Sequence, residues 1–283
     1  MIPAKFEYVR PTSVEEAVQA LQQGGEDAKI IAGGQSLLPV LRLRLAAPSV
    51  VVDLGGIPEL RRIAEDGDRV AIGAMAAHHD VMRDATVNQH VELLAKATET
   101  VADPQVRHRG TLGGALAHAD PAGDLGAVAL ALDAEFVILG AGGTRLVPAA
   151  EFFQDYFTTA IGDGEILTQV RFPKYTGWRT HYEKFNRTAQ AWSMVAVAVA
   201  LKVDGGSVSE ARIGLTNMGN VPIRATGVEQ ALVGQAAGKD TAKAAAEHAT
   251  EGTSAPSDAD AAADYREHLA KVLTGRAVLT AAG

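Results

Sequence analysis

Two glycine-rich stretches hold the residues best suited to chemistry: Ala32-Gly33-Gly34-Gln35-Ser36-Leu37-Leu38-Pro39 and Arg109-Gly110-Thr111-Leu112-Gly113-Gly114-Ala115. In each, paired glycines let the backbone fold closely around phosphate oxygens, and a hydroxyl-bearing or small residue stands beside them. A single Gly-Gly reads as a turn. Two such cradles in one chain point to a dinucleotide. Neither is a common mononucleotide motif, because no Gly-Lys-Ser/Thr occurs for a P-loop and no G-x-G-x-x-G opens a helix. ATP and NAD folds of those kinds are therefore disfavoured.

Other polar groupings are weaker. His78-His79-Asp80 and His118-x-Asp120 contain metal-ligand types. Adjacent histidines would point apart on a helix or strand, however, and we read no metal site there. Arg107 and Arg109 read as partners for nearby acids, as charges that steer a partner, or equally as solvated surface cations. Phe152, Phe153, Tyr156 and Phe157 form an aromatic cluster that reads as buried packing. No G-x-S-x-G elbow is present, and no side chain stands out as catalytic.

These sites need elements to position them. The opening is extended around Phe6 to Val9, and Ser13 can cap a helix from Val14 to Gln23 whose Val14, Ala17, Val18 and Leu21 recur at helical spacing. A strand from Lys29 to Ala32 runs into the first cradle, with a short helix over Ser36 to Leu45 behind it. Val50 to Leu54 is a second apolar strand. Short strands follow at Arg62 to Ile63 and Val70 to Ile72, then helices near His78 to Arg83 and Val91 to Thr98. The second cradle precedes an apolar helix from Asp124 to Leu132 and strands at Glu135 to Leu139 and Gly162 to Phe172. A change of texture near Tyr175-Thr176-Gly177 marks a domain boundary. Beyond it, Trp192 to Val203, an Asp204-Gly205-Gly206 turn and Glu210 to Thr216 make a hairpin. Ser257 can cap a terminal helix with Tyr265, Leu269, Val272 and Leu273 on one buried face.

Bulk properties narrow the classes. The chain has 283 residues, 47% apolar, which suits two domains of an ordinary globular protein. Its formal charge of −8, from 26 basic against 34 acidic residues, argues against a nucleic-acid partner. The absence of cysteine excludes disulfides, thiolate metal sites, iron–sulfur ligation and cysteine nucleophiles within this chain, so redox chemistry here needs a bound cofactor. No stretch approaches the roughly 18 consecutive apolar residues of a membrane helix and no secretory leader is evident; the expected location is cytoplasmic.

Both cradles, and the tract from Thr111 to Leu125, resemble the FAD-binding medium subunits of the molybdenum hydroxylases. That group includes carbon monoxide dehydrogenase, bacterial aldehyde dehydrogenases and the flavin segment of xanthine dehydrogenase. The resemblance covers essentially the whole chain. It extends to Phe6-Glu7-Tyr8, Val52-Asp53-Leu54, Ile72-Gly73-Ala74, Ala102-Asp103-Pro104-Gln105-Val106-Arg107, Tyr182-Glu183-Lys184 and Ile213-Gly214-Leu215-Thr216-Asn217, and is nearest to the carbon monoxide dehydrogenase medium subunit.

The resemblance implies an α+β fold. A PCMH-type FAD-binding domain of two α/β subdomains would span 1–177, divided at about 1–56 and 57–177. A C-terminal flavoprotein domain of antiparallel sheet packed with helices would span 178–283. It implies FAD held noncovalently, its diphosphate and ribitol lying against Lys29, Ala32, Gly33, Gly34, Gln35, Ser36 and Leu37. Thr111, Gly113, Gly114, Ala115 and Ala117 would form a second wall, with main-chain amides of Gly33-Gly34 and Gly113-Gly114 wrapping the pyrophosphate. Asp124 would accept from a sugar hydroxyl. Val101, Ala102, Leu167 and Lys184 would line the flavin or adenosine. Trp192 would shield the isoalloxazine or, alternatively, anchor the core at a strand start. Gln35 replaces a frequent His and Ala115 a frequent Asn.

The implied partners are a large subunit carrying molybdopterin, a small subunit carrying two [2Fe–2S] clusters, and an external electron acceptor, in a dimer of heterotrimers. Carbon monoxide leads as the holoenzyme's substrate, with aldehydes and N-heterocycles open. The alternatives are a stand-alone FAD-dependent oxidase or dehydrogenase and a metal-dependent hydrolase using His78, His79, His118 and Asp120.

Overall fold

The computed structural model describes residues 2–283. The first lobe contains β1 (Glu7–Val9), α1 (Val14–Gly24), β2 (Ala28–Ile31), α2 (Leu37–Leu43) and β3 (Val50–Asp53), and its three strands form a parallel sheet in the order β1-β3-β2. Ser13 caps α1 by accepting from the Glu16 N–H at 3.2 Å. The helix buries Val14, Ala17, Val18 and Leu21 against Val52 of the central strand, as its apolar spacing requires. This core also takes in Leu60, Met75 and Ile166 from the next lobe, so the two lobes share one apolar seam.

The second lobe comprises β4 (Ile63–Asp66), β5 (Arg69–Gly73), α3 (His78–Arg83), α4 (Ala85–His90), α5 (Glu92–Glu99), α6 (Pro104–Arg107), α7 (Leu112–His118), α8 (Asp124–Ala131), β6 (Glu135–Gly140), β7 (Gly143–Pro148), α9 (Ala149–Phe152), β8 (Phe153–Asp155), β9 (Thr158–Thr159) and β10 (Ile166–Pro173). Its main sheet is antiparallel throughout, in the order β4-β5-β10-β6-β7. Phe136 and Phe152 stack at 3.6 Å inside it with Phe153 edge-on, whereas Tyr156 and Phe157 of the same cluster are exposed.

The C-terminal domain comprises β11 (Arg179–Phe185), β12 (Val195–Asp204), β13 (Ser207–Thr216), β14 (Ile223–Arg224), α10 (Thr226–Leu232), α11 (Lys239–Ala246) and α12 (Ala263–Ala282), with an antiparallel sheet β11-β12-β13-β14. The Val-Ala alternation of β12 sorts its two faces. Val195, Val197 and Val199 pack with Leu269 and Leu273 of α12, while Ala196, Ala198 and Ala200 join the core of the second lobe. Small side chains on that face let α8 lie close to the sheet. Because α8 is covered on both sides, it is apolar all round and shows no amphipathic stripe.

Two expectations change. The strand expected to start at Trp192 begins at Val195, and Trp192 is 55% exposed, so it is no core anchor. Tyr265 is also exposed, and the buried stripe of α12 runs instead through Arg266, Leu269, Leu273, Ala277 and Val278. Ser257 accepts from the Ala263 N–H at 2.9 Å, reaching the helix start from outside the cap position.

Candidate functional site

The first cradle is the connection from β2 to α2. Gly34 sits at φ +74°, the left-handed conformation that glycine adopts without strain. Past it, the N–H groups of Gly34, Gln35 and Ser36 meet no acceptor within the described residues. Consecutive unpaired amides around a left-handed residue make an anion nest. The Gln35 side chain folds back to donate to the Gly33 carbonyl at 3.1 Å. Ser36 precedes α2 without capping it, leaving its hydroxyl unengaged by the helix.

The second cradle meets the first. A Cβ on Gly33 would stand 2.2 Å from the Arg109 carbonyl oxygen and 2.7 Å from the Gly110 Cα, so the two backbones touch there. Beyond this contact the structure departs from expectation, because the second cradle is helical. Thr111 caps α7 by accepting from the Gly114 N–H at 3.1 Å, and the Leu112 and Gly113 N–H groups donate to the Ala76 and Ala74 carbonyls, each at 2.9 Å. The amides of Gly113 and Gly114 are engaged inside the chain. This wall contributes packing and shape, and the free donors come from the first cradle.

A cleft of about 130 Å³ lies at this junction, lined by Ala32, Gly33, Thr111, Met75 and Ala77 together with Arg10, Arg61, His108, Arg109 and Asp53. Asp53 is held by the Tyr8 hydroxyl, by the Gly55 N–H at 2.8 Å and by Arg10 at 3.7 Å. Arg61 and Arg109 have no carboxylate partner among the described residues, so the cleft is net positive and suits an anionic group. Of the two, only Arg109 stood out in the sequence.

Asp124, at the start of α8, is a buried hub between the domains. Its Oδ1 accepts from the Tyr182 and Ser193 hydroxyls, each at 2.8 Å, and its Oδ2 from Lys184 Nζ at 2.8 Å. Both charged side chains are shielded, 3% and 7% exposed. Burial, followed by the Asp124 charge and hydrogen bond, drives the Tyr182 hydroxyl well above its usual range, which keeps it a donor. Lys184 also donates to the Thr100 carbonyl at 3.1 Å, tying down the Val101-Ala102 loop. Ala102 lies at φ +41°, a strained region for a residue with a Cβ. Arg107, expected at the surface or beside acids, donates to the Val101 carbonyl at 2.8 Å and braces this loop.

The remaining predicted residues are more dispersed. Lys29 is exposed on β2, Ala115 is exposed and Ala117 half-buried on α7, and Leu167 is buried in the second lobe's core. His78 is 3% exposed beneath Gly110, its Nδ1 buried without a hydrogen-bond partner. Burial first, then the nearby Arg107 charge, lowers its pKa to about 4. His79 stacks on His108 at 3.9 Å. No group of three or more His, Asp or Glu side chains disposed to hold a metal occurs among the described residues.

Fold and site together define a two-lobed module with an anion nest at its seam, closed by an antiparallel domain. Residues 4–175 match the FAD binding domain in molybdopterin dehydrogenase, and residues 180–281 the CO dehydrogenase flavoprotein C-terminal domain. The chain is 41% identical over 281 residues to the carbon monoxide dehydrogenase medium chain of Hydrogenophaga pseudoflava, covering 98% of this chain and 97% of that one. It is 36% identical to the glyceraldehyde dehydrogenase medium chain of Sulfolobus acidocaldarius, covering 98% of each. A solved structure of the Hydrogenophaga pseudoflava carbon monoxide dehydrogenase, in a form lacking the Mo-pyranopterin moiety of its cofactor, superposes with a TM-score of 0.96 at 42% identity, covering 99% of this chain and 98% of that one. The chain belongs to the FAD-binding medium-subunit family of the molybdenum hydroxylases and is a flavoprotein of the oxidoreductase class.

Removing the Asp124 carboxylate leaves the Lys184 ammonium buried beside one carbonyl. Asp124→Leu should therefore lower stability by about 3–5 kcal/mol, and the double variant Asp124→Leu/Lys184→Met should recover much of the loss; urea denaturation midpoints check both. His78 binds protons less readily folded than unfolded, so its contribution is fully present above about pH 6.5 and is lost as pH falls towards 4, worth about 3 kcal/mol across that window. His78→Gln should flatten this acid limb in melting temperatures recorded between pH 7.5 and 4.5.

Proposed function

We propose that this chain is the FAD-carrying electron-transfer subunit of a heterotrimeric molybdenum hydroxylase. It would take electrons from two [2Fe–2S] clusters on a small subunit and pass them to an external acceptor, while a large molybdopterin subunit oxidises the substrate. The domains would be 1–177, with subdomains at about 1–56 and 57–177, and 178–283, in a cytoplasmic dimer of heterotrimers. The observation that carries the reading is the seam at Gly33, where two backbones touch beside unpaired amides and a cationic cleft. A chain without cysteine, whose relatives are named medium chains, fits this division of labour.

Bound FAD supplies a ring that takes electrons singly and gives them up in pairs, which matches one-electron clusters to two-electron acceptors. The protein's part is placement. Gly34, Gln35 and Ser36 would donate amides to the diphosphate, with Lys29, Ala32, Gly33 and Leu37 around it. Arg61 and Arg109 would offset its charge. Thr111, Gly113, Gly114, Ala115 and Ala117 would form the facing wall. The Asp124–Lys184 hub would stand by a sugar hydroxyl. Val101, Ala102, Leu167 and Trp192 would border the rings. Substrate choice belongs to the large subunit, with carbon monoxide the first candidate and an aldehyde next.

Purified full-length chain supplied with FAD should hold one FAD per chain, identified by chromatography after denaturation. Retention of FMN instead, or of no flavin, would overturn the reading. With the products of neighbouring reading frames co-expressed, the flavin should bleach on addition of the complex's substrate, and the chain alone should turn over none. Gly33→Ala drives a Cβ into the Arg109 carbonyl and should weaken FAD binding at least tenfold, read by fluorescence titration.

A further inference from the structure

Arg266 is 1% exposed and lies on the buried stripe of α12, one turn before Leu269 and Ala270. Burying a guanidinium is costly unless it is paired, and an apolar side chain of similar volume would pack there at no such cost. The pairing is specific. Arg266 Nη2 contacts both carboxylate oxygens of Asp258, at 2.7 and 2.6 Å, and Nη1 donates to the Met194 carbonyl; Nε is buried without a partner. Asp258 is itself oriented by the N–H groups of Asp260 and Ala261, at 2.9 and 3.0 Å. An arginine so held does one thing a leucine cannot: it fixes a backbone carbonyl at a point.

That carbonyl belongs to a segment gripped from several sides. The Ser193 hydroxyl donates to Asp124 at 2.8 Å, Asn217 Nδ2 donates to the Ser193 carbonyl at 2.8 Å, and the Met194 N–H donates to the Phe185 carbonyl at 2.8 Å. Asn217 reaches its place from a left-handed backbone, φ +61°, with its own N–H on the Pro121 carbonyl at 2.9 Å. Ser193 and Met194 are buried, 2% and 8% exposed, whereas Trp192 next to them is 55% exposed. Trp192 is thus an exposed aromatic whose backbone leads directly into a turn held by four directional contacts.

We propose that Arg266, held by Asp258, is a positioning residue for Trp192, fixing the 192–194 turn so that the indole faces the flavin site. The inference rests on the FAD reading above. It adds a requirement from α12, an element that carries none of the residues assigned to the cofactor.

The test uses the full chain with Trp178→Phe, which leaves Trp192 as the sole tryptophan, since the chain has two. In this parent, added FAD should quench Trp192 fluorescence. Arg266→Met keeps the packing and removes the clamp. It should still bind FAD, lose at least half of the quenching, shift the visible circular dichroism of the flavin, and raise acrylamide access to Trp192 in the flavin-free protein; Arg266→Lys should restore part of each. Unchanged quenching and dichroism in folded Arg266→Met would overturn the proposal. If that variant does not fold, Asp258→Asn, altered at a carboxylate 47% exposed, carries the same readouts, and unchanged signals there would overturn it equally. Failure of the parent to bind FAD would strike the underlying reading instead, and shows before any clamp residue is altered.

Discussion

Gly33 cannot carry a side chain, because the Arg109 carbonyl stands 2.2 Å from where a Cβ would begin. That backbone contact is the constraint on which the site depends. It brings the loop after β2 against the loop before α7, although the two belong to different lobes. The shared apolar seam of Leu60, Met75 and Ile166 holds the lobes in that relation, so the nest at Gly34 to Ser36 starts one residue past a contact already in place. A site preorganised in this way need not order its amides when the ligand arrives.

The two loops differ in kind, which the sequence alone did not reveal. Both show Gly-Gly followed by a small or hydroxyl residue, yet one leaves its amides open and the other uses them for capping and for the Ala74 and Ala76 carbonyls. Motif reading registers residue types, and hydrogen-bond partners far along the chain decide which donors stay free. The same limit applies to Arg107, whose contact with the Val101 carbonyl no charge pattern could show, and to Arg266, which stands where helical spacing calls for an apolar residue. What could be read well was periodic. The α1 stripe follows from the 3.6 repeat, the β12–β13 hairpin from two apolar runs around a Gly-Gly turn, and the resemblance carried the rest of the architecture. Tyr265 was misplaced, and the core-anchor alternative for Trp192 fails, because an aromatic beside an apolar run is normally drawn into the core, and here the phase of α12 and the turn at Ser193 leave both outside.

The domain junction shows how composition serves position. Alanines on one face of β12 let α8 come close enough for Asp124, at its first turn, to reach Tyr182, Ser193 and Lys184 across the boundary. Bulkier residues on that face would hold the carboxylate back and leave Lys184 with the Thr100 carbonyl alone. The small side chains therefore give up apolar burial on that face, and the ionic hub depends on the approach they permit.

Two ion pairs with a buried cation, Asp124–Lys184 and Asp258–Arg266, end on the same stretch of chain from Lys184 to Met194. Neither is an efficient source of stability, since apolar replacements of similar volume usually do as well. Their shared property is direction: each aims a charged group at a single backbone or side-chain atom, whereas apolar packing tolerates sliding. One pair acts from the flavin-domain side through Ser193 and the Thr100 carbonyl, the other from α12 through Met194. A segment held from opposite sides by directional contacts has one backbone geometry, and it is this segment that carries the exposed Trp192. Specification of position, more than stability, accounts for charges placed where a core would otherwise be apolar.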